Sequence, residues 1–119
     1  MNSSFIFVIL LTAHFLGDFV VQTDEQAKNK SKSNIILLQH VLSYMGTMLL
    51  LVCVLNIQVT IAWIALNLIG HFITDWFTSR ITARLWASNK IGSFFTVVGF
   101  DQWIHVTTLI VSYQVMILS

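Results

Sequence analysis

Apolar residues along this chain fall into four long stretches separated by short polar punctuation: residues 5–21, 34–56 and 59–78, and a last stretch that ends at Leu118. Each is close to the ~20 residues a helix needs to cross a hydrocarbon core about 30 Å thick. Four hairpin-length strands could not close a barrel, and open sheet edges fail in lipid, so helices are the predicted elements. Proline is absent, and no span carries an obvious kink. The first stretch follows Met-Asn-Ser-Ser without a basic segment and leads into charge rather than a small-residue cleavage site, which reads as a retained span and not a signal peptide. The expected architecture is all-α: a polytopic membrane protein with a four-transmembrane-helix bundle, forming a single domain over residues 1–119.

The connection between spans three and four is the least regular part. Over residues 78–90, Ile81, Leu85 and Trp86 are spaced against Arg80, Arg84 and Lys90, which predicts a short interfacial helix with snorkelling arginines. A simple extension of the third span fits the same pattern. Residues 91–100 either begin span four or dip partway into the membrane.

Composition sharpens this picture. The chain is 56% hydrophobic and 9% charged, with mean hydropathy +0.81, against roughly 25% charged residues in an average soluble domain. No separate soluble domain fits, and nothing points to a nucleic-acid partner. The net charge of +1 matters less than its placement: Lys28, Lys30 and Lys32 lie between spans one and two, and Arg80, Arg84 and Lys90 between spans three and four. By the positive-inside rule both basic loops are cytoplasmic and both termini lie outside. The single cysteine, Cys53, has no partner within one chain and reads as a reduced, lipid-facing or packed thiol.

Candidate chemistry stands out against the apolar background. Three of the four histidines have an aspartate one helical turn away: His14 with Asp18, His71 with Asp75, and Asp101 with His105. Random placement would give roughly 0.3 such pairs at this helix-neighbour spacing. Under the predicted topology these six, with His40, all lie at a similar depth near the cytoplasmic end of the spans. Burying three aspartates there without partners would cost several kcal/mol each. A divalent cation offsets that cost most directly, and helix bundles build metal sites from carboxylates and histidines in this way. The donor set His14, Asp18, His40, His71, Asp75, Asp101 and His105 suits zinc first, or manganese or iron. One metal with aspartates orienting histidines and two metals with bridging aspartates both fit the spacing. Packing by His–Asp hydrogen bonds, at about 1 kcal/mol each, is the bland alternative, and haem gains nothing from three carboxylates.

Other residues are candidates for support. Asp24, Lys28 and Lys30 follow span one and are candidate substrate contacts at the headgroup level, the lysines for a phosphate; a solvated loop is the alternative. Tyr44 stands one turn after His40, where Asp stands in the other pairs, and is expected to hydrogen-bond across the site. Gln22 and Gln102 flank the acids, Gly17 and Gly70 are expected to let helices approach closely, and Trp63, Trp76, Trp86 and Trp103 read as interface anchors or lipid-facing bulk.

The run from His14 through Gly17-Asp18, Gln22 and Asp24, then Ala27, Lys30, His40, Tyr44, His71-x-x-x-Asp75 and Asp101-Gln-x-x-His105 resembles the small bacterial and phage membrane proteins grouped as domain of unknown function 3307. The resemblance covers nearly the whole chain and implies a bacterial inner-membrane location. Glu25 and Gln26 depart from it, standing where that family tends to place an aromatic and an apolar residue. The helical His/Asp arrangement is also similar to inner-membrane proteins described as metal-dependent hydrolases, an analogy of arrangement only. The leading expectation is a metal-dependent hydrolase of a lipid or isoprenoid phosphate at the cytoplasmic leaflet, with one of Asp18, Asp75 or Asp101 as general base. A metal-ion or proton transporter and a non-catalytic partner of a larger complex are the alternatives. Membrane lipid is the expected partner, and four short helices make a thin wall, which favours a homo-oligomer.

Overall fold

The computed structural model describes residues 2–119 and is all-helical, with no strand among the described residues. Helix α1 (Ser3–Phe15) runs on through a π-helical turn, Leu16–Val20. A short α2 (Asp24–Asn29) follows, then α3 (Asn34–Val54), α4 (Ile61–Ala87) and α5 (Ile91–Tyr113), the last continued by a second π-helical turn, Gln114–Leu118. The molecule is a rod of 46 × 25 × 22 Å. Three segments are long and apolar enough to cross a membrane: Ser3–Val20, Asn34–Val54 and Ile91–Leu118. Helix α4 is longer than any of the other helices but carries the polar side chains of Asn67, His71 and Asp75 on its buried face.

Local chemistry sets the helix ends. Asn2, Ser33 and Thr60 each accept a backbone N–H of the first turn that follows, and Thr23 with Gln26 forms a reciprocal capping box that starts α2. Helices α3 and α4 stop alike. Asn56 (φ 57°) and Asn89 (φ 58°) take the left-handed conformation. The next amides then reach back, Ile57 N to Val52 O at 2.8 Å and Lys90 N to Leu85 O at 2.9 Å. These are Schellman endings with asparagine in glycine's place.

The predicted short interfacial helix between spans three and four is not present; α4 continues unbroken to Ala87. No glycine or proline interrupts residues 78–87, and Arg80 braces the helix by donating to Trp76 O (2.8 Å) and Asn34 Oδ1 (3.0 Å) while lying over the Trp76 ring. The extra short helix is α2, in the segment read from sequence as a charged loop. Residues 91–100 form the first turns of α5.

Burial divides the rod along its length. One half has an apolar core of Ile6, Leu10, Met48, Val52, Trp63 and Leu109, with neighbours from the same helices. The interior of the other half gathers the buried polar groups, with Leu37 and Val41 buried beside them, while large apolar side chains such as Phe15, Leu42, Ile69 and Trp103 face outward. Trp63 is a correction to the interface-anchor reading: it is fully buried, its ring edge-on to Tyr113, and its Nε1 lacks a hydrogen-bond partner among the described residues. Trp86 and Trp103 are exposed, as is Cys53.

Candidate metal centre

Four helices deliver the polar interior. The end of α1 and its π-helical turn carry His14 and Asp18, the early turns of α3 carry His40 and Tyr44, the middle of α4 carries His71, Asp75 and Thr78, and α5 carries Asp101, Gln102 and His105. The π-helical turn closes with Val21 N on Leu16 O at 2.8 Å, and such turns recur where a side chain must be re-aimed at a functional position. Gly17 in that turn lies on α3: a Cβ there would stand 2.9 Å from Tyr44 Cδ2 and 3.1 Å from Tyr44 O. No other residue fits at that contact. Gly70, by contrast, has open space where a Cβ would sit, so no close helix approach depends on it.

All four histidines and Asp18, Asp75 and Asp101 converge, each no more than 9% exposed. His40 Nε2 lies 3.0 Å from Asp18 Oδ1 and 3.2 Å from Asp75 Oδ2; His71 Nε2 lies 3.3 Å and 3.1 Å from the same two oxygens. One imidazole nitrogen carries a single hydrogen or a single lone pair. Only the His40–Asp18 and His71–Asp75 contacts have the direction of hydrogen bonds. The remaining two pairs, His40 with Asp75 and His71 with Asp18, stand 3.2 and 3.3 Å apart without that direction. With metal–ligand bonds of about 2.0–2.1 Å, neighbouring ligand atoms lie about 3.0 Å apart in an octahedron and about 3.3 Å in a tetrahedron. The four observed separations span that interval, and Asp18, His40, His71 and Asp75 form one group able to hold an ion. Asp18, Asp101 and His105 form a second.

His14 stands outside both groups, although its type and spacing mark it as a ligand in sequence. Its Nδ1 meets Tyr44 Oη at 2.8 Å and its Nε2 meets Gln102 Oε1 at 2.8 Å. Gln102 Nε2 donates to Asp18 Oδ2 (2.7 Å) and Asp101 Oδ2 (3.1 Å), which fixes the amide's orientation. In the neutral ring, His14 therefore donates through Nε2, and its Nδ1 accepts the Tyr44 hydroxyl. Its place is to orient Gln102, and through it two carboxylates.

This chain matches the family described as "Protein of unknown function (DUF3307)" over residues 6–119. It belongs to the DUF3307 family. The matched region contains every residue of the cluster. No curated protein and no solved structure matches the chain.

In this DUF3307 protein the cluster opens on one side into a cleft of about 100 Å³, bordered by Lys30, Gln22, Thr78, Ser79 and the three aspartates. Lys30 Nζ donates to Gln22 Oε1 (3.0 Å) and reaches within 3.8 Å of Asp75 Oδ2. Lys28 and Asp24 are exposed and do not line this cleft. Lys28 borders an adjoining groove of about 640 Å³, which shares Lys30, Ser79 and Thr82 with the cleft and continues along Trp86 and Phe94.

Two contributors escaped the sequence reading. Thr78 Oγ1 donates to Asp101 Oδ1 at 2.5 Å, and Ser79, buried in the cleft wall, has an Oγ without a partner among the described residues. Both follow Asp75 by one turn, on the same helical face as Asn67, His71 and Asp75. That spacing was the available signal.

Proposed function

We propose that this is an integral membrane protein of four spans, with α4 as the additional crossing, whose His/Asp cluster binds a divalent cation just inside the cytoplasmic face and hydrolyses the phosphoester of a lipid phosphate. The observation that carries the reading is the buried quartet of Asp18, His40, His71 and Asp75, with its nitrogens and oxygens 3.0–3.3 Å apart. Three carboxylates removed from water call for a counter-charge, and Lys30 is the only lysine or arginine within salt-bridge distance of them among the described residues. The groove supports the substrate class: Lys28, Lys30 and Lys32 line it beside Trp86 and Phe94, offering charge to a phosphate and apolar surface to its chain. The basic residues of both loops sit at this end of the rod, the cytoplasmic end by the positive-inside rule.

A bound divalent cation supplies Lewis acidity and lets a water lose its proton near neutral pH. One of Asp18, Asp75 and Asp101, all at the cleft, takes that proton, and Lys30 neutralises the phosphate. Gln102 and Thr78 hold the carboxylates in register, and His14 and Tyr44 hold Gln102.

The test is elemental analysis of the detergent-purified chain together with turnover of a lipid-phosphate panel. The wild type should carry metal and release phosphate or headgroup, and His71→Asn should carry less metal and lose turnover. Turnover that survives metal removal would end the proposal. A transport reading draws on one observation: polar contacts continue into the apolar half, with Asn67 Nδ2 donating to Ser112 Oγ (3.0 Å) and Tyr113 Oη to Gln58 O (2.9 Å). Fully buried Leu10, Met48 and Trp63 lie in that same half. Liposome flux distinguishes the two, since a hydrolase moves no ion.

A further inference from the structure

The two donor groups are not separate. Asp18 belongs to both, and Asp75 faces both ways: its Oδ2 lies 3.1 Å and 3.2 Å from His71 and His40 Nε2, while its Oδ1 lies 2.8 Å from His105 Nε2. A carboxylate that offers one oxygen to each of two neighbouring donor sets has the disposition of a bridging ligand. The histidines agree with this. The rings of His71 and His105 stack with centroids 3.9 Å apart and planes 10° from parallel, and each directs its Nε2 at a different oxygen of Asp75. Paired metal ions in hydrolytic sites stand about 3.5–4 Å apart, the spacing at which stacked imidazoles serve one ion each.

We propose that the cluster is a dinuclear centre: one divalent cation held by His40 and His71, a second by His105 and Asp101, with Asp18 and Asp75 bridging them. The inference rests on the metal-binding reading above and adds the number of ions and the division of ligands. Asp101 is held for this role from two sides, by Thr78 at Oδ1 and by Gln102 at Oδ2, and its Oδ1 lies 3.2 Å from His105 Nε2. Ser79 is nine-tenths buried and borders the same cleft, with its hydroxyl unpartnered among the described residues. Charge also favours two ions. A single divalent cation and Lys30 would just balance three carboxylates and leave nothing for an anion. Two divalent cations leave a surplus of one, and Lys30 adds a second, matching a phosphate monoester dianion.

The test uses the full chain, purified in detergent, stripped with chelator and titrated separately with zinc and with manganese, with bound ions counted per chain. Two ions of at least one metal should bind. His105→Asn and His40→Asn should each lower the count to one, because each variant removes a different site. Saturation at one ion with both metals overturns the dinuclear proposal and leaves the metal-binding reading standing, as does a second ion that persists in both variants, since it then lies elsewhere. Binding of neither metal overturns both readings. Should either variant fail to fold, His71→Asn in place of His40→Asn and Asp101→Asn in place of His105→Asn remove the same two sites.

Discussion

Replacing Gly17 by alanine tests whether the site depends on the contact between α1 and α3. The new Cβ would meet Tyr44 Cδ2 at 2.9 Å, Tyr44 O at 3.1 Å and Tyr44 Cα at 3.2 Å, where ordinary contact begins near 3.4 Å. The shortfall is 0.2–0.5 Å. Rotating the Tyr44 ring cannot remove it, because two of the three atoms are backbone and the ring is held by His14 and lies against His71 at 4.2 Å. The π-helical turn of α1 must therefore retreat from α3 and take Asp18 with it, which can lengthen the 3.0 Å contact to His40 to as much as 3.5 Å. Metal sites tolerate about 0.2 Å in ligand position. Overpacking of this kind costs about 1–3 kcal/mol, and alanine's helix propensity returns at most about 1 kcal/mol. We expect a net loss of about 1–2 kcal/mol and a weakened metal isotherm. Gly70→Ala is the control: it meets open space, so propensity alone acts, and it should be neutral or stabilising by up to about 1 kcal/mol. The assays are unfolding in detergent and metal titration on both variants. Equal effects at the two positions would refute the close-contact argument.

Gln102→Leu removes the amide that ties Asp18 to Asp101 and should weaken metal binding about 10–100-fold, the usual range for residues that orient ligands; competition with a chelating dye reads this. Lys30→Ala should raise KM for a lipid phosphate about tenfold with kcat nearly constant, as expected for loss of one charge-assisted contact, whereas Lys28→Ala, away from the cleft, should have a smaller effect. The buried Asn67–Ser112 hydrogen bond should show a coupling of only about 0.6 kcal/mol in an Asn67→Leu, Ser112→Ala double-mutant cycle, the typical value within membranes; a coupling of several kcal/mol would mark it as more than packing.

Period and spacing made the main features legible. Four apolar stretches yielded the four long helices, and the His–Asp pairs at one-turn spacing yielded the cluster, because side chains four apart share a face whatever the tertiary structure. What escaped depends on which partner arrives from another helix. His14 has the same type and spacing as His71, yet both its nitrogens are taken by Tyr44 and Gln102 from two other helices. Gly70 resembles Gly17 in sequence, but only Gly17 lies against a neighbouring backbone. Trp63 has the composition of an interface anchor and is buried because its face of α4 meets Tyr113. The end of α4 is weakly marked in sequence, and both an extended third span and a separate helix fit it, for a local reason: the stop is an asparagine in the left-handed conformation at position 89, a weaker signal than glycine or proline.

The division of the interior into an apolar half and a polar half follows from these constraints. In the four-span arrangement proposed above, hydrogen bonds between helices contribute little each, so a core made wholly of imidazoles and carboxylates would leave its helices free to settle in several arrangements. Packing at the other end limits that freedom: fully buried Leu10 on α1, Met48 on α3 and Trp63 on α4 join Leu109 of α5 in one cluster. The same four helices each contribute at least one donor or donor-orienting residue, so fixing their relative positions at the apolar end fixes the polar end to within the few tenths of an ångström that coordination tolerates. Cavity-forming changes in that apolar cluster, such as Met48→Ala, should therefore lower metal affinity along with stability although no polar group is touched. Stability falling while affinity stays constant would mean that the polar end organises itself.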